Sequence, residues 1–168
     1  MADRILVAYA TRYGSTAEGA EAIGDELRKA GVAVDVQPVN EVQDLSPYRA
    51  AIIGSPIYVG KWLPEPQVFI ERHQQHLRTI PIAYFAVGLT AADGGPEILK
   101  KAEASMDQVR MLVTPVDIGI FPGRLESGRL SLTDRTIIKL IRAKTGDFRD
   151  WEAVRAWAQA VYSKIAPL

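Results

Sequence analysis

An α/β fold is what the sequence predicts: a doubly wound, five-stranded parallel sheet in the order 2-1-3-4-5, with extra helices at its carboxyl end. Three observations predict it. Strand-like apolar runs alternate with stretches of helical length along the first 120 or so residues. Several runs are continuously apolar, as strands buried on both faces are. The last run contains Pro115 and Asp117, which suit a sheet edge better than its centre. Right-handed crossovers then leave 2-1-3-4-5 as the natural order, with ligands expected outside the carboxyl ends of the strands near the switch between strands one and three.

Taken in order, Ile5-Leu6-Val7-Ala8-Tyr9-Ala10 reads as a buried strand, and Ala17 to Ile23 opens a helix that Gly31 ends as a C-terminal cap. Val32 to Val36 alternates like a strand, and Tyr48 to Ile53 ends in the apolar run of a central one. Glu65 to Leu77 suits a helix, with Pro64 and Pro66 near its start, where proline is tolerated. Pro81 to Val87 is a fourth buried strand, Gly95 to Met111 a further helix, and Thr114 to Phe121 the last strand. Beyond it, Thr133 to Lys144 reads as a helix with Ile137, Ile138, Leu140 and Ile141 on its apolar side, and Asp150-Trp151 begins a final amphipathic helix. The chain therefore reads as a single domain over residues 1–168, with a helical carboxyl-terminal extension from about residue 133 to residue 168.

Composition narrows the function classes. At 168 residues the chain is long enough for a substantial core, and 48% hydrophobic with 24% charged residues is the composition of a soluble globular protein. The absence of cysteine leaves no disulfide framework, no thiolate nucleophile and no iron–sulfur cluster. No apolar stretch approaches a membrane span and no signal pattern opens the chain, so a cytoplasmic location is expected. Twenty basic and 20 acidic side chains cancel, which argues against a general nucleic-acid binder.

The turn Thr11-Arg12-Tyr13-Gly14-Ser15-Thr16 lies where the first strand's carboxyl end meets a helix amino end. Unpaired N–H groups and the helix dipole favour an anion there, and threonine and serine hydroxyls can donate to phosphate oxygens. Thr-x-x-Gly-x-Thr has neither the Lys-Ser/Thr ending of the NTP-binding loop nor the three spaced glycines of the dinucleotide fingerprint. A Thr or Ser N-cap, with Gly14 merely turning the chain, is the competing reading. After the third strand, Ser55-Pro56-Ile57-Tyr58-Val59-Gly60-Lys61-Trp62 places two aromatics around a glycine at the switch point. Tyr58 or Trp62 would stack on a flat ring, and Gly60 would let the backbone present a polar group to it; alternatively, Trp62 covers the core at a helix entrance. After the fourth strand, Gly88, Leu89, Thr90 and Asp93 form a small polar loop, either contacting a ring edge or serving as a plain turn capped by Asp93.

These three loops, in this order, resemble the flavodoxin-like FMN-binding family. The tail Phe121-Pro122-Gly123-Arg124-Leu125, the stretch Ile137 to Ile141 and Gly146-Asp147-Phe148-Arg149-Asp150-Trp151 are similar to the branch containing menaquinone-dependent protoporphyrinogen dehydrogenases. The resemblance implies non-covalent FMN, two-electron dehydrogenation of an organic substrate and transfer to a quinone-type acceptor. It implies that Thr11 to Thr16 surround the phosphate while Ser55 to Gly60, Trp62 and Gly88 to Thr90 with Asp93 flank the ring. The flavin would carry the chemistry, so no catalytic side chain is expected. The alternative within the same resemblance is a flavodoxin-type electron carrier, although such shuttles are typically acidic and lack the tail.

Other constellations are less specific. Arg124, Arg129, Arg135, Lys139, Arg142 and Lys144 form a basic stretch that would meet anionic headgroups at a peripheral membrane contact, or simply form a solvated helix face. His73 and His76 lie three apart on a helix but lack a third ligand, so no metal is expected and the two read as a surface pair. Trp151 and Trp157 read as core or interface anchors. No serine sits in a nucleophile elbow, and the clustered aspartates of a response-regulator-like module are missing.

Overall fold

In the computed structural model, residues 3–11, 14–58, 61–88, 96–121, 124–125, 146–147 and 151–165 are described. The elements are β1 (Arg4–Tyr9), α1 (Ser15–Lys29), β2 (Val34–Pro38), β3 (Tyr48–Tyr58), β4 (Lys61–Trp62), α2 (Pro64–Arg72), α3 (Gln74–Leu77), β5 (Ile82–Val87), α4 (Pro96–Ala104), α5 (Asp107–Leu112), β6 (Asp117–Phe121), β7 (Arg124–Leu125), β8 (Gly146–Asp147) and α6 (Trp151–Ile165). The main sheet runs β2-β1-β3-β5-β6, and every pairing along that path is parallel. Setting aside the two-residue β4, this is the expected order 2-1-3-4-5, and the strand carrying Asp117 lies at its edge.

Alternation along the strands separates two cores. Ile5, Val7, Ala50, Ile52, Ala83 and Phe85 face α1 and α6, whereas Leu6, Ala8, Ala51, Ile53, Tyr84 and Ala86 face α2, α3 and α5. Continuous apolar runs form because both faces are covered. Helix α6 buries Val154, Ala158, Val161 and Ile165, one stripe at helical spacing, against the first of these faces. It is tied down at its flanks by Gln159 Nε2 donating to Glu26 at 2.6 Å and by a Lys164–Asp117 ion pair at 2.9 Å.

Several boundaries differ from the sequence reading: β2 runs Val34–Pro38 rather than from Val32 to Val36, and β6 begins at Asp117 rather than Thr114. Strand β3 continues to Tyr58 because Gly54, Ser55 and Pro56 keep pairing with Phe85, Ala86 and Val87 of β5. The segment read as a loop after Ile53 is thus largely strand, turned back antiparallel on β4 with Ile57 opposite Trp62 and Tyr58 opposite Lys61. The helix expected over 65–77 breaks at His73, whose backbone leaves the helical region at φ −106° and ψ 18°. The one expected over 95–111 breaks near Ser105, where the hydroxyl bonds the Ala102 carbonyl and competes with the backbone ladder. The expected helix 133–144 lies outside the described residues; β7 pairs antiparallel with β8, joining the two ends of that stretch.

At the amino edge of the sheet Arg4 forms a two-pronged pair with Asp35, whose second oxygen also accepts the Tyr48 hydroxyl at 2.8 Å. The pair holds the Asp35 carboxyl below its ordinary range, chiefly through the Arg4 hydrogen bond. Burial, then the hydrogen bond to Asp35, pushes the Tyr48 phenol from 10.0 up to about 12. The folded chain therefore keeps a proton that the unfolded chain releases, so this contribution to stability is complete below pH 10 and is lost as pH rises toward 12. Denaturant titrations of the parent chain and Tyr48→Phe across that interval are expected to show the parent losing stability more steeply. Equal slopes would remove Tyr48 as the cause.

Candidate functional site

The carboxyl ends of β1, β3 and β5 converge. Tyr9 pairs with Gly54, the Ala10 N–H donates to the Gly54 carbonyl at 3.0 Å, and Pro56 pairs with Val87, one residue before Gly88. The three sequence segments singled out for binding therefore leave the sheet side by side at one end.

At the first of them, Gly14 occupies the N-cap position of α1 with φ 95°, a left-handed conformation in which any side chain is strained. Its N–H donates to Thr11 Oγ1 at 2.9 Å, and its carbonyl accepts the first helical bond, from Glu18 N–H at 3.1 Å. The threonine hydroxyl thus closes the turn instead of capping the helix, and among the described residues no side chain makes a cap hydrogen bond to α1. This counts against Thr11 as the cap: by helix geometry the N–H groups of Ser15, Thr16 and Ala17 have no intrahelical acceptor, and they lie at the positive end of the dipole. Among the described residues, an ideal Cβ on Gly14 meets nothing within 4 Å. Thr16, 1% exposed, brings a buried hydroxyl to the second helical position. Turn, bare helix end and buried hydroxyl together fit a phosphate. Arg12, Tyr13 and the Ser15 side chain lie outside the described residues.

At the second segment, Ser55 is fully buried, and its hydroxyl accepts the Leu63 N–H at 3.0 Å while donating to the Pro56 carbonyl at 2.9 Å. Trp62 is 8% exposed and meets Tyr84 edge-on, with ring centroids 5.5 Å apart. It lies in the core beneath the helix entrance, and its Nε1 has no hydrogen-bond partner. Pro56 and Ile57 are half-buried, whereas the Tyr58 side chain, Val59 and Gly60 lie outside the described residues. At the third, Gly88 is buried, donates its N–H to Phe121 at 3.0 Å, and approaches Ile57 so closely that a Cβ would lie 3.0 Å from it. Leu89, Thr90 and Asp93 lie outside the described residues.

Two supports have no signal in the motifs. Gly54 sits under the Phe85 ring, and Tyr84, its phenol pushed up by burial, donates to the Val113 carbonyl at 2.7 Å behind Trp62. Tertiary packing alone reveals them. The histidine pair also reads differently in three dimensions: His73 and His76 are half-buried with shielded Nε2 atoms, and His73 packs on Phe69 at 4.8 Å, which lowers its pKa through desolvation. A cleft of about 740 Å³ lined by Glu103, Asp107, Arg110, Met111 and Asp117 lies at the amino end of β6, opposite the convergent loops. Among the described residues no group of three or more His, Asp or Glu side chains could hold a metal, and no helix is long and apolar enough to cross a membrane.

The family model described as flavodoxin domain matches residues 6–152. A curated relative from Escherichia coli, protoporphyrinogen IX dehydrogenase [quinone], is 27% identical over 174 residues, covering 94% of each chain. Among solved structures, a Streptococcus pneumoniae flavodoxin superposes with TM-score 0.63 at 19% identity, covering 96% of this chain and 99% of that one. A Fusobacterium nucleatum flavodoxin mutant bound to flavin mononucleotide gives TM-score 0.60 at 14% identity, covering 96% of both chains. These structures share the fold.

Proposed function

Because the chain belongs to the flavodoxin domain family, we propose that it is an FMN-dependent oxidoreductase passing electrons from an organic substrate to a quinone-type acceptor. The observation that carries the cofactor assignment is the amino end of α1, opened by left-handed Gly14, flanked by the buried Thr16 hydroxyl and without a side-chain cap among the described residues. Thr11, Arg12, Tyr13, Gly14, Ser15 and Thr16 would hold the phosphate, with backbone N–H groups supplying most of the attraction. Pro56 to Gly60 and Gly88, Leu89, Thr90 and Asp93 would flank the ring, while Ser55 and Trp62 support that wall from within. When bound, FMN supplies the redox chemistry by accepting hydride at N5, and the protein's share is to bind, orient and shield it.

The relative named protoporphyrinogen IX dehydrogenase [quinone] supports a porphyrinogen as substrate and a quinone as acceptor. The full-length match supports the enzyme over a simple carrier, as does the balance of 20 basic and 20 acidic side chains. The expected outcome is that purified protein quenches FMN fluorescence on titration and oxidises protoporphyrinogen anaerobically with a quinone present. FMN binding without porphyrinogen turnover would favour the carrier, and a colourless protein that leaves FMN fluorescence unchanged would remove both readings.

A further inference from the structure

Thr16 and Ser55 are the buried serine and threonine side chains among the described residues, and only Thr16 lies at the helix end that would hold a phosphate. Ser55 lies on β3, paired with Ala86 of β5, and its hydroxyl uses both of its capacities at once. It accepts from Leu63 N–H, the residue just before α2, and donates to the Pro56 carbonyl at the start of the projecting hairpin. The base of the segment from Pro56 to Trp62 is therefore drawn together by a single oxygen. The hairpin itself has just two paired positions, Ile57 with Trp62 and Tyr58 with Lys61. So short a ribbon is marginal unless something else fixes it. Among the described residues the other supports are apolar: Ile57 against Gly88, just past β5, and Trp62 against Tyr84 of β5.

We propose that Ser55 is the positioning residue of the ring subsite: its hydroxyl fixes the β3–β4 hairpin and so sets how the flavin ring is held, independently of the phosphate. This rests on the FMN reading above and extends it to a division of labour between two buried hydroxyls. Thr16 serves the anion at the end of α1, and Ser55 serves the wall on which the ring lies. A hydroxyl is suited to the task because it is short enough to stay inside the strand layer and polar enough to link a donor to an acceptor. Alanine would keep the packing and remove the link.

The test uses the whole chain, titrated with FMN and with riboflavin, following flavin fluorescence and the visible circular dichroism of the bound flavin. Ser55→Ala is expected to weaken both ligands about tenfold, the size of one lost hydrogen bond, with their affinity ratio unchanged and the dichroism of the bound ring altered. Ser55→Cys, which keeps the shape with weaker hydrogen bonding, is expected to fall between the two and supplies the same reading should the alanine variant fail to fold. A folded Ser55→Ala with parental affinities and dichroism overturns the positioning role while leaving the FMN reading in place. So does a loss confined to FMN, because that would locate the effect at the phosphate. A parent chain that binds neither flavin overturns the FMN reading and this inference with it.

Discussion

Thr16→Asp weakens FMN binding by at least about a hundredfold, whereas riboflavin, which has no phosphate, binds the variant nearly as it binds the parent. Thr16 is 1% exposed at the second position of α1, next to the turn made by Thr11 and Gly14. A carboxylate there supplies an anion of its own to the bare N–H groups of the first turn. It also repels the phosphate: two charges about 4 Å apart interact by about 4 kcal/mol at the effective dielectric of a protein surface, more than the roughly 2.7 kcal/mol that a hundredfold change needs. The helix tolerates the change locally, because aspartate is favourable in a first turn. Fluorescence titration with both ligands separates a phosphate effect from general damage. Equal FMN affinity in parent and variant would show that the end of α1 is not the phosphate site.

Gly54→Ala costs about 3 kcal/mol of folding stability, the upper end for overpacking a core by one methyl group. An ideal Cβ at Gly54 would lie 2.0, 2.2 and 2.5 Å from three atoms of the Phe85 ring. Phe85 is fully buried on the adjacent central strand, and behind it stands Trp157 of α6 at 6.3 Å, itself 5.7 Å from Phe121. The ring cannot yield without shifting α6 or spreading β3 from β5. The strain lies directly below the hairpin that Ser55 closes, so the site would feel it as well. Denaturant melts measure the loss, and Phe85→Leu in the same chain is expected to restore much of it by freeing the space the new methyl needs. If the double variant is no more stable than Gly54→Ala alone, the clash with Phe85 is not the cause.

Much of the site was legible because its chemistry is local. Thr11, Gly14 and Thr16 fall within six residues, and whatever joins the first strand to the first helix of this fold must stand over a helix end. Even so, sequence left cap and cradle as equals. The hydrogen bond from Gly14 to Thr11 Oγ1 weighs against Thr11 as the cap, since a hydroxyl that closes the turn is not capping the helix. Ser55 and Trp62 went the other way. Both stand in a segment that reads as a binding loop, yet the ladder from Gly54 to Pro56 against β5 turns Ser55 inward, and the antiparallel return on β4 turns Trp62 onto Tyr84. Tyr84 is 22 residues from Trp62, and the β5 partner of Ser55, Ala86, is 31 residues from it, beyond the reach of any local pattern.

By itself the sequence determined the α/β class and the strand order, and it placed the turn from Thr11 to Thr16 at the carboxyl end of the first strand. Hydrophobic periodicity and crossover handedness are rules of local geometry that hold wherever the pattern recurs. Only the tertiary structure decided where β3 ends, that Gly14 stands at the N-cap of α1, that Phe85 fills the space over Gly54, and that Trp62 belongs to the core. Those outcomes depend on which side chains meet across strands and helices, and close packing fixes such meetings to fractions of an ångström that no spacing along the chain encodes.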